Sequence, residues 1–335
     1  MADNLHNLNE LIEQARAFEP IRVAVVDAAQ GLVIETLRDA QSMGIVEPLM
    51  IGDPEAIQGL CKDANWDVAN LEIIPSQTDA ASALLAIELV HDGKADAVMK
   101  GNIHTDTLMH ALLDAERGLR VPGQRVSHVF VVKVKGYAKL LGISDAAVNI
   151  SPDLNAKAQI LQNAIDLFHL LGVERPKVAV LSAVETINTS IPSTLDAACL
   201  TLMARRGQIS GALIDGPLAF DNAISVEAAR EKGIVSQVAG EVDILLVPDL
   251  VSGNILAKNL EYLADAVAAG ILVGLEKPVV LTSRADPPAA RLASLAIASL
   301  MHHRRAGELP KKDAPAEATF NSVPQPEHAC CPLPG

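Results

Sequence analysis

Ala95-Asp96-Ala97-Val98-Met99-Lys100-Gly101-Asn102-Ile103-His104-Thr105-Asp106-Thr107-Leu108 runs from a mainly apolar segment into a polar turn and on into helical spacing. The apolar run over 95–99 is short and sharply bounded, as a buried strand is. It stops at a lysine, a glycine and a small polar cluster, and a helical pattern starts at Leu108. A tight turn ahead of a helix presents backbone N–H groups and the positive end of the helix dipole, and both favour an anion. Lys100, His104 and Thr105 gather there in a chain that is otherwise acidic. This stretch is expected to form one wall of a phosphate-handling site.

Upstream, the same alternation repeats. A first helix capped by Asp3 or Asn4 places Leu8, Leu11, Ile12, Ala15 and Phe18 on one face and ends at Pro20. Strands are predicted over 21–26, 48–52 and 71–74. Helices are predicted over 31–43 with Gly44 as C-cap, from 53 with Pro54 in the first turn, and over 79–92. Downstream, a basic loop (117–125) leads to a strand over 126–132. Segments 140–143 and 148–150 read as further strand, added to the sheet in hairpin fashion. Ser151-Pro152-Asp153 caps a helix to residue 171. A second series follows, with strands over 177–182, 211–214, 243–247 and 278–282 and helices over 193–206, 253–269 and 289–302. Strands and helices alternating at roughly 25-residue intervals predict an α/β fold of three α/β/α layers with largely parallel sheets. In such sheets ligands bind at the carboxyl ends of strands. From 306 to 335 the composition shifts to Pro, Lys, Glu and Ala, predicting a disordered tail that contains Cys330-Cys331.

The chain has 335 residues, with 27 Lys+Arg against 41 Asp+Glu and a formal charge of −14. That length suggests two domains. Half the residues are hydrophobic but only 2% aromatic, so the core must be built from Ala, Val, Leu and Ile. An acidic chain is poorly suited to nucleic acid, whose affinity rests on neutralising phosphates. A small anionic substrate must instead be caught by a local cationic site. The cysteines, Cys61, Cys199, Cys330 and Cys331, show neither zinc-ligand spacing nor a disulfide framework. Cys199 reads as core packing in an Ala-rich helix. No metal and a reducing, cytoplasmic setting are expected. The polar, acidic start (residues 1–10) is not a signal peptide, and no apolar run is long enough to span a membrane.

Four predicted strand ends are followed by small, polar or charged clusters: 100–107, 182–186, 215–221 and 283–286. Arg125-Val126-Ser127 stands at the start of its strand. No Gly-x-Ser-x-Gly elbow, Walker loop or dinucleotide fingerprint occurs, which argues against a strained serine nucleophile, ATP on a Walker loop and a standard nicotinamide site. What remains is Arg, Lys, Ser, Thr, His and Asp. These suit phosphate, which takes an Arg fork, hydroxyls and helix-end N–H groups, with an acid at hand as general base.

Taken in order, Lys100-Gly101-Asn102-Ile103-His104-Thr105-Asp106, Arg125-Val126-Ser127-His128-Val129-Phe130, Leu181-Ser182-Ala183-Val184-Glu185, Asp215-Gly216-Pro217-Leu218-Ala219-Phe220-Asp221, Val247-Pro248-Asp249-Leu250 with Gly253-Asn254, and Thr282-Ser283-Arg284-Ala285-Asp286 resemble the phosphate acetyl/butyryltransferase family. Each motif alone is weak, but six in order across residues 20–300 are specific. The wording is closer to the short, butyryl-type branch. The resemblance implies reversible transfer of an acyl group between coenzyme A and inorganic phosphate through a ternary complex, without a covalent acyl-enzyme. Acetyl is the expected group, with butyryl as the alternative. Coenzyme A is then a substrate, and no cofactor is implied. The implied architecture is two α/β domains of the isocitrate/isopropylmalate dehydrogenase kind. Residues 1–146 with 286–305 would form the first and 147–285 the second, with the active site in the cleft between them. A homodimer or higher homo-oligomer is implied too.

Residue roles carry over position by position. Ser283 and Arg284 match the family's serine–arginine pair. Arg284 would bind phosphate and steady the oxyanion, and Ser283 would hydrogen-bond the intermediate or the thiol. The acetyl-type branch has an aspartate, proposed as the base for the thiol, where Ala290 stands here. Either Asp286 takes that role, or Asp215 does, or none is needed. Lys100, His104, Thr105, Arg125 and Ser127 are the expected phosphate and acyl-phosphate contacts, and Asp215, Pro217 and Asn254 the expected coenzyme A or cleft contacts. Glu185 and Asp221 read as capping acids. Two rivals differ in class. A metal-dependent NAD(P) decarboxylating dehydrogenase of the same architecture needs Asp ligands at helical spacing, which 215 and 221 lack. A non-catalytic coenzyme A-binding regulator would fit the missing aspartate.

Overall fold

The computed structural model describes residues 6–69, 71–282 and 286–310. Asn7, whose side chain accepts from Glu10 N–H, caps α1 (Leu8–Arg16), and β1 (Ile21–Val26), α2 (Gly31–Ser42), β2 (Val46–Gly52), α3 (Pro54–Asp63) and β3 (Glu72–Pro75) follow. Next come α4 (Asp79–His91), β4 (Ala97–Lys100) and α5 (Thr105–Leu112). The middle of the chain forms β5 (Ser127–Lys133), β6 (Leu140–Ser144), α6 (Leu154–Leu170), β7 (Lys177–Leu181), α7 (Pro192–Arg205) and β8 (Leu213–Leu218). Two short helices, α8 (Phe220–Ile224) and α9 (Val226–Glu231), precede β9 (Ile244–Leu246) and α10 (Leu250–Leu263). The chain then adds β10 (Val267–Val273), β11 (Val279–Val280) and α11 (Pro288–Arg305).

The strands form one sheet in the order β3-β2-β1-β4-β11-β10-β5-β6-β9-β7-β8. Its two ends are parallel blocks, β3 to β11 and β6 to β8, as the alternation predicts. Between them β10 pairs antiparallel with both β11 and β5, and β5 antiparallel with β6. Three antiparallel steps reverse direction, so the carboxyl ends of the two blocks leave the sheet at opposite edges.

Side-chain alternation sorts the sheet's two faces. On one, Val25, Met99, Ile271, Val129 and Val180 join α1, α2, α6 and α11 in a continuous apolar cluster. The other face is split. Val26, Val98 and Leu272 pack with α4 and α5, whereas Ala268, Val132 and Leu245 pack with residues of α8 and α10. Along β10 the seam between these clusters falls at Gly270. Along β5 it falls at His128, between Val126 and Phe130.

Three expectations are corrected. Residues 148–150 form no strand, because the Asp145 carboxylate accepts from Ala147, Val148 and Asn149 N–H groups and folds the segment into a turn. The expected helix over 253–269 is instead α10, capped by Asp249 and ending at Leu263, followed by the central strand β10. Asp265, at φ 50, reverses the chain between them. An Ala/Val run fits helix and strand periods alike, and pairing with β5 decides for strand. Finally, Asp215-Gly216-Pro217 lies inside β8, where the register to β7 shifts between Ala179 and Leu181, and not beyond its end. The expected cap residues Asp3 and Asn4 and the tail beyond residue 310 lie outside the described residues.

Candidate active site

At the end of β4 the backbone presses against the end of β1. Gly101 N–H donates to Val26 O at 2.9 Å and Asn102 N–H to Asp27 O at 2.7 Å. A Cβ at position 101 would stand 2.2 Å from Asp27 O and 2.6 Å from Val26 O, so only glycine permits this approach. Lys100 shares the face of Val98, on the α4–α5 side of the seam, and is 4% exposed. Its Nζ lies 3.4 Å from the Gly101 carbonyl. The Thr282 hydroxyl donates to the Lys100 carbonyl at 3.5 Å, tying the exit of β11 to that of β4. Asp27, at φ 53, stands beside this turn and interacts with the Asn102 side chain and Lys100. Burial pushes its carboxyl above the usual carboxylate range and Asp79 adds to the rise, against the Ala29 N–H, Asn102 and Lys100. Thr105 opens α5, and the N-cap residue His104 makes no side-chain capping bond. Both residues are exposed. A buried ammonium and a helix N-terminus without a side-chain cap each favour an anion.

On the other side of the seam a polar chain runs inward from the surface. Exposed Arg125 donates from Nη1 to Asn149 Oδ1 at 3.0 Å, and Asn149 Nδ2 donates to Asp145 Oδ2 at 2.6 Å. Asp145 in turn acts electrostatically on His128, whose ring meets Phe130 edge-on at 4.4 Å. His128 is 1% exposed, and its Nδ1 has no hydrogen-bond partner among the described residues. Burial depresses the imidazole from its ordinary 6.5 to about 4, against the pull of Asp145. The folded chain thus keeps His128 neutral where the unfolded chain protonates it. Between pH 6.5 and 4 the unfolded state binds more protons, so stability is full above that window and falls as pH is lowered through it. The expected loss is about 3 kcal/mol by pH 4. Denaturant unfolding of wild type and His128→Gln at pH 7 and pH 4.5 checks this: the variant should show the shallower loss, and equal losses would refute it.

Not all expected site residues come together. Ser283 and Arg284 lie outside the described residues. Their described neighbours Thr282 and Asp286 are 5% and 8% exposed. The Asp286 carbonyl accepts from Arg291 Nε at 3.2 Å, and the Arg291 guanidinium feels its carboxylate. Lys100, His104, Thr105 and Asp286 belong to the carboxyl edge of the first parallel block. Arg125, Ser127 and Asn254 belong to the opposite edge, where Asn254 is exposed and donates to Ala146 O at 3.3 Å. By register Lys100 and Ser127 are three strands and three residues apart, on the order of 17 Å. Ser127 needs correction as a phosphate contact. It shares the face of Val129 and is 0% exposed, and its hydroxyl accepts from Asn163 of α6 at 2.9 Å, away from the seam. Asp215 is paired with Ala179 in mid-strand and its carboxylate accepts from Gly216 N–H, while buried Pro217 follows in the same strand. Neither stands at a strand end. Glu185 and Asp221 share Lys232 as ion-pair partner at 3.2 and 3.0 Å, and Cys199 is exposed. His128 and Asp27, given no role in the sequence reading, stand at the seam and at the β4 turn. The available signals were a histidine inside an apolar strand and an acid directly after one.

Residues 77–299 match the family model described as phosphate acetyl/butaryl transferase. The chain is 47% identical to a phosphate acetyltransferase of Rhizobium meliloti over 89% of its length and 94% of the relative. It is 43% identical to a phosphate butyryltransferase of Clostridium acetobutylicum over 89% of its length and 98% of the relative. A crystal structure of a branched-chain phosphotransacylase from Enterococcus faecalis aligns with TM-score 0.72 and 30% identity, covering 84% of this chain and 99% of that one. With the family model spanning most of the chain and relatives matched nearly end to end, the chain belongs to the phosphate acetyl/butaryl transferase family.

Proposed function

We propose that this enzyme transfers an acetyl group reversibly between coenzyme A and inorganic phosphate, in a ternary complex and without a covalent acyl-enzyme. The observation that carries this reading is the near end-to-end match to a phosphate acetyltransferase. The site is chemically suited to it. Lys100 and the open N-terminus of α5 supply positive potential for phosphate. A phosphate oxygen attacks the thioester carbonyl, the tetrahedral oxyanion collapses, and the thiolate leaves and takes a proton. Arg284 is assigned to phosphate and oxyanion, Ser283 to the intermediate or thiol, and Asp286 to proton transfer. His104, Thr105 and Arg125 are assigned to the phosphate end, and Asn254 to coenzyme A. Coenzyme A is a substrate in this scheme and no cofactor takes part. We place the enzyme in the cytoplasm as a homodimer or higher homo-oligomer. No helix among the described residues is long and apolar enough to cross a membrane.

Loss of thioester absorbance on mixing acetyl-CoA with phosphate tests the reading, with arsenate as a second acceptor. Phosphate-dependent loss with release of free thiol is expected. Thiol release that does not depend on phosphate, or none with any acyl-CoA, would refute transfer and favour a coenzyme A-binding regulator. The butyryl alternative is favoured by the relative named for that activity.

A further inference from the structure

The last turn of α11 is His302-His303-Arg304-Arg305, and the chain then folds back over it. Gly307, at φ 70, takes the left-handed conformation that closes the helix. Its N–H donates to Arg304 O at 3.3 Å, and the N–H of Glu308 donates to His303 O at 3.0 Å. This turn returns the Glu308 side chain to the ring of His303, with Glu308 Oε2 2.5 Å from His303 Nδ1. On the other side of the ring, Nε2 lies 2.8 Å from the carbonyl oxygen of Glu19. A carbonyl oxygen only accepts, so Nε2 carries a proton and donates it. In the neutral ring Nδ1 is then an acceptor facing a carboxylate. Two acceptors at that separation repel unless a proton or a metal cation stands between them.

The surroundings favour the metal. The rings of His302 and His303 meet edge to face, with centroids 5.1 Å apart. A ring nitrogen of each histidine and a Glu308 carboxylate oxygen all lie within 4.8 Å of one another. Tetrahedral zinc, with bonds of about 2.0–2.1 Å, needs its donors about 3.3 Å apart. Exposed Glu308 can make that adjustment by a small side-chain rotation. His303 is already fixed: it is 3% exposed, stacked on Phe18 at 4.8 Å, and donates from its far nitrogen to a carbonyl, as metal-binding histidines do. Asp96 is held in a fork by Arg22 and stays 3.9 Å from His302 Nε2. Arg304 bonds to Leu170 O and Gln14 Oε1, and Arg305 to Leu275 O. The carbonyl end of α11 adds the negative end of the helix dipole.

We propose that His302, His303 and Glu308 form a zinc-binding site, with water in the fourth position, that clamps the end of α11 to the turn between α1 and β1. Two imidazole nitrogens and a carboxylate oxygen are a donor set that zinc takes, whereas magnesium and calcium prefer oxygen alone. None of the described cysteines takes part, so the cysteine spacing gives no hint of it. The site is separate from the candidate active site: along α11, His303 lies about 22 Å from Pro288 at about 1.5 Å per residue.

The test is calorimetric titration of the metal-free full chain with zinc chloride, and thermal unfolding with and without zinc. Both are done on wild type, His302→Gln and Glu308→Gln, with magnesium chloride as control. Glu308 is exposed and His302 half-buried, so neither substitution opens the core. Wild type should bind zinc, and its Tm should rise by about 4 °C with free zinc at about a hundred times the Kd. Each variant should bind at least 100-fold more weakly and lose the rise in Tm. A wild type whose Tm is indifferent to zinc would leave a proton between His303 and Glu308 and overturn the site. Affinity and Tm rise unchanged in both variants would place the ion on other donors and overturn it equally.

Discussion

Arg291→Met is expected to destabilise the fold by about 3–5 kcal/mol, the range for leaving a buried charge without the opposite charge that compensates it. Arg291 sits in the first turn of α11 and is 1% exposed, with its Nε on the Asp286 carbonyl and its guanidinium beside the Asp286 carboxylate. Burial lowers the pKa of the guanidinium and Asp286 raises it again, the pattern of a charge kept inside by a specific counter-charge. Methionine fills the volume but leaves Asp286, 8% exposed, without that cation. Denaturant titration checks the magnitude, and a loss under about 1 kcal/mol would show that the pairing contributes little. The double variant Arg291→Met/Asp286→Asn should recover part of the loss, because replacing both partners removes the uncompensated charge. A double variant no more stable than the single one would assign the effect to packing alone.

How far the sequence was legible follows from where the information is local. The first parallel block is bounded by residues whose preferences are strong in isolation. Pro54 opens α3, Thr78 caps α4, and β-branched runs fill β1. The central strand β10 has no such marks. Val267-Ala268-Ala269-Gly270 is a strand because β5, far away in sequence, is there to pair with it. β10 adds two antiparallel steps that cancel, the β5–β6 pair adds the third, and strand-end clusters that look equivalent in sequence divide between two edges of the sheet. The site shows the same limit at finer scale. Lys100 is legible because a strand, a glycine and a helix start leave few arrangements open. Ser127 and His128 are adjacent, and a period of two puts one against α6 and the other in the seam. Which faces the ligand depends on the register of strands that pair long after both are read. Asp27 becomes visible only when Gly101 brings the end of β4 against that of β1.

Arg284→Ala is expected to lower kcat about 10²- to 10³-fold, the effect of removing one oxyanion donor, and to raise KM for phosphate. The residue lies outside the described part of the structure, so the prediction rests on chemistry and on the family match. In the transition state, negative charge grows on the thioester oxygen while the attacking phosphate still carries its own. Lys100 is a single ammonium at the end of β4, in contact with the Gly101 carbonyl, and the N–H groups of α5 carry only the partial charge of the helix dipole. Neither supplies the two parallel donors that a planar guanidinium presents to phosphate and oxyanion together. The Asp27 carboxyl, beside Lys100 and pushed above the ordinary range by burial, reduces the local positive charge when ionised, which makes a second cation more necessary. Arg284→Lys should therefore recover only part of the loss, with KM for phosphate improving more than kcat. Steady-state rates at saturating acyl-CoA and varied phosphate separate the two parameters. Wild-type kcat in Arg284→Ala, or full recovery in Arg284→Lys, would move oxyanion stabilisation to another group, for which Lys100 is then the first to test.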